Sequence, residues 1–105
     1  MKYEYITFRK QLPSGKWESD PNTPVRIFNS KKAAMDEITD RHAHKQGLGW
    51  AGHYDIESVT RIHNGGESKG TESFLHFFDY TMAPGNGKNK RIRYREAIAP
   101  LVSKA

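Results

Sequence analysis

A small α+β domain is the fold this sequence predicts: a mainly antiparallel sheet of four to five strands with one α-helix packed on one face, in the order β-β-α-β-β-β. Three observations predict it. Several stretches alternate with a period of two, the signature of strands. Only residues 31–46 carry helical spacing between a capping residue and a glycine stop. Clusters of Pro, Gly, Asn and Ser punctuate the chain between these segments. At 105 residues the chain fits one domain, 1–105, with room for one modest core.

The first strand is "YEYITFRKQL". Glu4, Ile6, Phe8 and Lys10 share one face, and Tyr3, Tyr5, Thr7 and Arg9 share the other. "PSGK" (Pro13 to Lys16) is a turn, after which "KWES" begins a returning strand. "DPNTP" interrupts that strand, because proline cannot donate to the ladder, and "VRIF" resumes it. Asn29 or Ser30 caps the helix and Gly47 stops it. Ala34, Ile38 and His42, with Met35 alongside, form a narrow apolar stripe suited to lying on a sheet.

"HYDIESVTRIH" alternates again, with Tyr54, Ile56 and Ile62 on one face and Asp55, Glu57 and Arg61 on the other. After the turn "NGGESKG", "TESFLHFFDYTM" is apolar on both sides: Phe74, Phe78, Tyr80 and Met82 against Leu75 and Phe77. Two apolar faces predict a central strand. "APGNGKN" turns the chain into "KRIRYREAI", the last strand, and residues 99–105 are expected to form a loose tail.

Composition excludes several function classes. The chain has no Cys, which removes disulfides and thiolate metal sites and makes a reducing, cytoplasmic setting the default. No apolar run approaches the ~20 residues needed to span a bilayer, so no membrane role is expected. The five His lack the i, i+4 pairing of a helical zinc site, since His42 and His44 point ~200° apart. No metal and no cofactor is expected. The loop "GLGWAG" matches G-x-G-x-x-G but follows a helix instead of opening one, so a phosphate there would meet the negative end of the dipole. Trp50, among those glycines, either folds back on the core or stands out as a contact residue.

Charge is the stronger signal. Residues 1–47 carry nine Lys/Arg against six Asp/Glu, residues 48–87 two against five, and residues 88–105 six against one. The net excess of +5 equals that of the last eighteen residues, and charge distribution governs partners more than fold. In "KNKRIRYR" the alternation sets Arg91, Arg93 and Arg95 on one face and Ile92 and Tyr94 on the other, with Lys88 and Lys90 extending the strip. Arginines spaced ~6.6–7 Å apart on a strand match the separation of successive phosphates. Two bland readings compete with this. Edge strands carry cations to prevent aggregation, or the arginines pair with Asp55, Glu57 or Asp79.

The leading expectation is a non-enzymatic binding protein that docks this basic strand on nucleic acid or a nucleoprotein. Tyr3 and Tyr5, with Tyr80 or Tyr94, are expected as aromatic contacts on a face that the single helix leaves open, and Trp50 is added from its glycine loop. The alternative is an inhibitor or adaptor of the kind phages and mobile elements encode, meeting an acidic protein surface or filling a nucleic-acid-binding groove. A small metal-independent ribonuclease built from His, Glu and Arg is a third reading, with no catalytic motif to support it.

Overall fold

The computed structural model describes residues 1–47, 50–51, 54–64, 73–84 and 91–101, with 50, 51, 54, 55 and 84 described by backbone alone. The chain forms one antiparallel sheet with one helix on a face. Its elements are β1 (Lys2–Gln11), β2 (Glu18–Ser19), β3 (Arg26–Phe28), α1 (Lys31–Gly47), β4 (Trp50–Ala51), β5 (Tyr54–Val59), β6 (His63–Asn64), β7 (His76–Pro84) and β8 (Ile92–Leu101). The strands run in the order β2-β1-β8-β7-β5-β4, with β3 also on β1 and β6 also on β7. The expected β-β-α-β-β-β path survives, with short extra pairings added to it.

Register assigns the faces. Tyr5 lies opposite Ile98 on β8, which follows Glu96 and Tyr94 along the same side. Those residues oppose His76, Phe78 and Tyr80 on β7. This side receives the helix: Ala34 and Ile38 are fully buried with Tyr5, Phe78, Tyr80 and Ile98, while Tyr3, Met35, Val59 and Ile62 close the rim. Burying an aliphatic or aromatic side chain contributes ~1.5–3 kcal/mol, so this layer supplies most of the apolar stabilisation. The helix starts where Ser30 Oγ accepts from the Ala33 amide at 3.1 Å, an N-cap that satisfies one of the first turn's unpaired donors.

The hairpin between β1 and β2 depends on Gly15. Its amide donates to the Gln11 carbonyl at 2.6 Å, and a Cβ at this position would overlap that same oxygen. Asp20 then anchors the irregular "DPNTP" stretch. Its two carboxylate oxygens accept from the Asn22 amide at 3.1 Å and the Thr23 hydroxyl at 2.7 Å.

Strand β8 lies between β1 and β7, so the edge-strand reading of its cations does not hold, and its Tyr94 and Ile98 side packs into the core beneath the helix. Four expectations are corrected. Residues 99–101 are no tail, since Ala99, Pro100 and Leu101 pair with Glu4, Tyr3 and Lys2; residues 102–105 lie outside the described residues. The stretch from 53 to 63 is not one strand. A register shift between Ile56 and Ser58 puts Val59 on the core side, and Thr60 breaks the ladder before β6. Phe74 and Leu75 exchange sides because both precede β7: Phe74 packs on Phe8 and Phe77, and Leu75 meets the core. Tyr3 and Tyr5 do not line an open face; they point toward the helix, and Tyr5 is 4% exposed.

Candidate functional site

The face without the helix carries the other half of each alternation: Lys10 on β1, Arg93 and Arg95 on β8, and Phe77, Asp79 and Thr81 on β7. Its middle is covered by Phe8, Phe74 and Phe77 in contact. Toward the β1–β2 hairpin the face opens into a cleft of about 480 Å3, walled by Trp17 on one side and by Thr60 and His63 on the other. That size lies within the range of small-ligand sites.

Asp79 sits at its base, 5% exposed. Arg95 clamps it with two bonds, Nε to Oδ1 at 2.8 Å and Nη2 to Oδ2 at 2.9 Å. Parallel guanidinium–carboxylate bonds of this kind are the strong ion pairs of proteins. The same guanidinium lies 4.6 Å from the Trp17 ring centre and 4.7 Å from that of Phe77, a sandwich that fixes it and leaves it 15% exposed. The aspartate's main chain is held as well: its amide donates to Thr60 Oγ1 at 2.9 Å, and its carbonyl accepts from the Thr60 amide at 2.8 Å.

Arg93 reaches the same carboxylate less closely. Its Nη2 is 3.3 Å from Oδ2 and its Nε 3.4 Å, with 32% of the side chain exposed. Lys10 stands directly across from Arg93 in the β1–β8 ladder, and its ammonium lies 4.8 Å over the Trp17 ring. Like charges directly opposite one another destabilise a sheet. Among the described residues lining the cleft, three cations thus stand against one carboxylate, an excess of two positive charges among its Lys, Arg and Asp side chains.

The arginine row is thus not the uncompensated ladder the alternation suggests. Arg91 is paired with Glu57 at 2.8 Å, and Arg93 and Arg95 converge on Asp79. The pairing with Glu57 and Asp79, weighed as a bland alternative, is what occurs. Lys88 and Lys90 lie outside the described residues. The backbone of Trp50 forms β4, and its side chain is outside the described residues as well. Sequence reasoning overlooked Lys10, Trp17 and Thr60 as neighbours of the arginines. Lys10 shares a face with Phe8, which was a usable signal; Trp17, in a hairpin loop, offered none.

The helix side holds a second buried acid, Glu96, which is 2% exposed. It accepts from the hydroxyls of Tyr5 and Tyr80, and Arg41 Nε approaches to 3.8 Å. Burial, and then the adjacent Glu96 carboxylate, push both tyrosine hydroxyls far above their ordinary range. Lys45, 4.9 Å over the Tyr80 ring, is pushed down, chiefly by its own burial. His42 reaches across the layer to the Thr60 carbonyl at 2.6 Å. This is the underside of the residue that holds Asp79, so the core fixes the cleft wall.

Among the described residues there is no group of three or more His, Asp or Glu placed to hold a metal ion, and no helix long and apolar enough to cross a membrane. No protein-family profile, no curated protein and no solved structure matches this chain.

Proposed function

We propose that the protein is a non-enzymatic binding protein that takes nucleic acid on its helix-free face, with the basic last strand as the docking element. The observation that carries this reading is the cleft where Lys10, Arg93 and Arg95 surround the single carboxylate of Asp79 beside Trp17. A surplus of two positive charges held on a rigid sheet attracts phosphate, and the partly buried indole of Trp17 lines the same cleft, where its edge suits contact with a base. Arg91 contributes less to this reading than its neighbours, because its surface pairing with Glu57 offsets its charge.

Salt titration tests it. Binding of a labelled single-stranded oligonucleotide, followed by anisotropy between about 50 and 200 mM salt, should weaken with a log–log slope of about −1.4, from ~0.7 per phosphate for the surplus of two charges. Affinity that does not change over that range overturns the reading.

A second reading, an adaptor that binds another protein, rests on a different observation. Val25 and Ile27 are about half exposed on and beside the short strand β3, and Leu101 is exposed near Lys2 on the same face. Recovery of a protein partner from nuclease-treated lysate, lost on Ile27→Lys, would favour it over the first.

A further inference from the structure

Resting on the nucleic-acid reading above, we propose that the cleft is a receptor for a terminal phosphate monoester on an unpaired strand end. The alternation of β8 would space its arginines by ~6.6–7 Å, the geometry for following a backbone phosphate by phosphate. The fold abolishes that spacing. Arg93 Nη2 and Arg95 Nη2 both contact one oxygen, Asp79 Oδ2, at 3.3 and 2.9 Å, so their head groups meet at a point. Lys10 joins them from the facing strand, and its ammonium and the Arg95 guanidinium share the Trp17 ring at 4.8 and 4.6 Å. Both guanidiniums are drawn to that carboxylate, so with Lys10 they form one compact cluster of positive charge, which suits a single multiply charged anion, whereas a backbone needs a spread row.

Charge separates a chain end from the chain interior. An internal phosphodiester carries one negative charge and two free oxygens. A terminal monoester carries about −1.5 to −2 at neutral pH and three acceptor oxygens. Lys10, Arg93 and Arg95 against Asp79 give +2, which matches the monoester. The opposition of Lys10 and Arg93, unfavourable by itself, is relieved when a dianion lies between them. A concave site of about 480 Å3 lined by Trp17 admits one nucleotide residue, while the convex side of a duplex stays outside it.

The experiment compares one labelled ten-nucleotide single strand in three forms, with a 5′-phosphate, with a 3′-phosphate and with hydroxyls at both ends. A phosphoserine peptide and a blunt 5′-phosphorylated duplex serve as competitors. The expected result is at least tenfold tighter binding of one or both phosphorylated strands than of the hydroxyl strand. Lys10→Ala and Arg93→Ala should each reduce that preference to under threefold while the far-UV circular dichroism spectrum is retained. Equal affinity of all three strands, still falling with salt, overturns this inference and leaves the general nucleic-acid reading standing. No binding by any strand overturns both. Competition by the phosphopeptide as strong as by the phosphorylated strand overturns the assignment to a nucleic-acid end, and equal competition by the blunt duplex overturns the requirement for an unpaired one.

Discussion

Two buried acids lie side by side in the sheet and face opposite ways. Glu96 on β8 opposes Phe78, and the next pair along is Arg95 with Asp79. Both are almost wholly out of solvent. On the helix side Glu96 is held by two tyrosine hydroxyls, with Arg41 at 3.8 Å. On the other side Asp79 is bonded by Arg95 and Arg93 while Lys10 lines the same cleft, and one carboxylate can neutralise one of these three cations. Glu96 is therefore an acid provided with enough partners to stay buried, which is a structural role. Asp79 lies in a region whose positive charge exceeds what folding requires. The surplus, more than the count of arginines in the sequence, marks the face where a partner is to be sought.

The comparison breaks most visibly at Glu96. Glu96→Ala removes the acceptor of two buried hydroxyls and opens a cavity, so a loss of about 3–5 kcal/mol in urea unfolding is expected. Glu96→Gln keeps an acceptor and should cost about half as much. A loss below about 1 kcal/mol for the alanine variant would show that the tyrosines are satisfied without it.

Asp79→Asn comes next and separates stability from binding. Asparagine keeps one acceptor for Arg95 but removes the charge, so stability falls by about 2 kcal/mol, less than the 3–5 seen when a buried pair is broken outright. The cleft gains a further positive charge, and affinity for a phosphorylated single strand should rise severalfold as stability drops. Opposite signs in the two measurements are what distinguish a surplus of cations from a balanced ion pair.

A third test is alkaline unfolding. Tyr5 and Tyr80 are raised above the ordinary value of 10.0. Their contribution is thus complete below that pH and is progressively lost as pH climbs from there toward the raised folded value, while the unfolded chain has released protons that the folded chain keeps. Each such group steepens the fall by up to about 1.4 kcal/mol per pH unit. Tyr5→Phe and Tyr80→Phe should each flatten the profile above pH 10, measured against the parent protein. An unchanged slope removes the tyrosines from the account.

The smallest effect sharpens the cleft itself. Arg91→Ala and Arg93→Ala are both expected to change stability by about 0.5 kcal/mol or less, as partly exposed ion pairs do. Only Arg93→Ala should weaken oligonucleotide binding strongly, by tenfold or more. Equal losses for both variants would restore the extended ladder in place of the convergent site.

Much of the fold was legible because period-two alternation and a capped, glycine-stopped helix are local facts. Ala34 and Ile38 behave as the helical spacing predicts, and the meander of β5, β7 and β8 follows from its turn signals. The bulge at Glu57 was not legible, since an extra residue in one strand is defined only by its partner. The candidate site was half legible. Alternation put Arg91, Arg93 and Arg95 on one face, but it is blind to neighbouring strands. That Asp79 would draw two guanidiniums together, and that Lys10 would stand opposite Arg93, depends on the β1–β8–β7 register. The edge-strand reading of β8 could not be decided from sequence for the same reason, because its charged residues were visible there and the two strands flanking it were not.

The position of β8 also constrains how the molecule is acquired. The last strand of the chain is inserted between the first and the seventh, so Lys2 to Gln11 have no long partner until Ile92 to Leu101 arrive. Closing the long loop that runs from β1 to β8 is entropically slow, and the reward comes only when both ladders zip. Glu96 and the arginines of the cleft travel on that same strand. The hydrophobic layer and the basic cleft are therefore expected to be completed together, when β8 pairs with both neighbours.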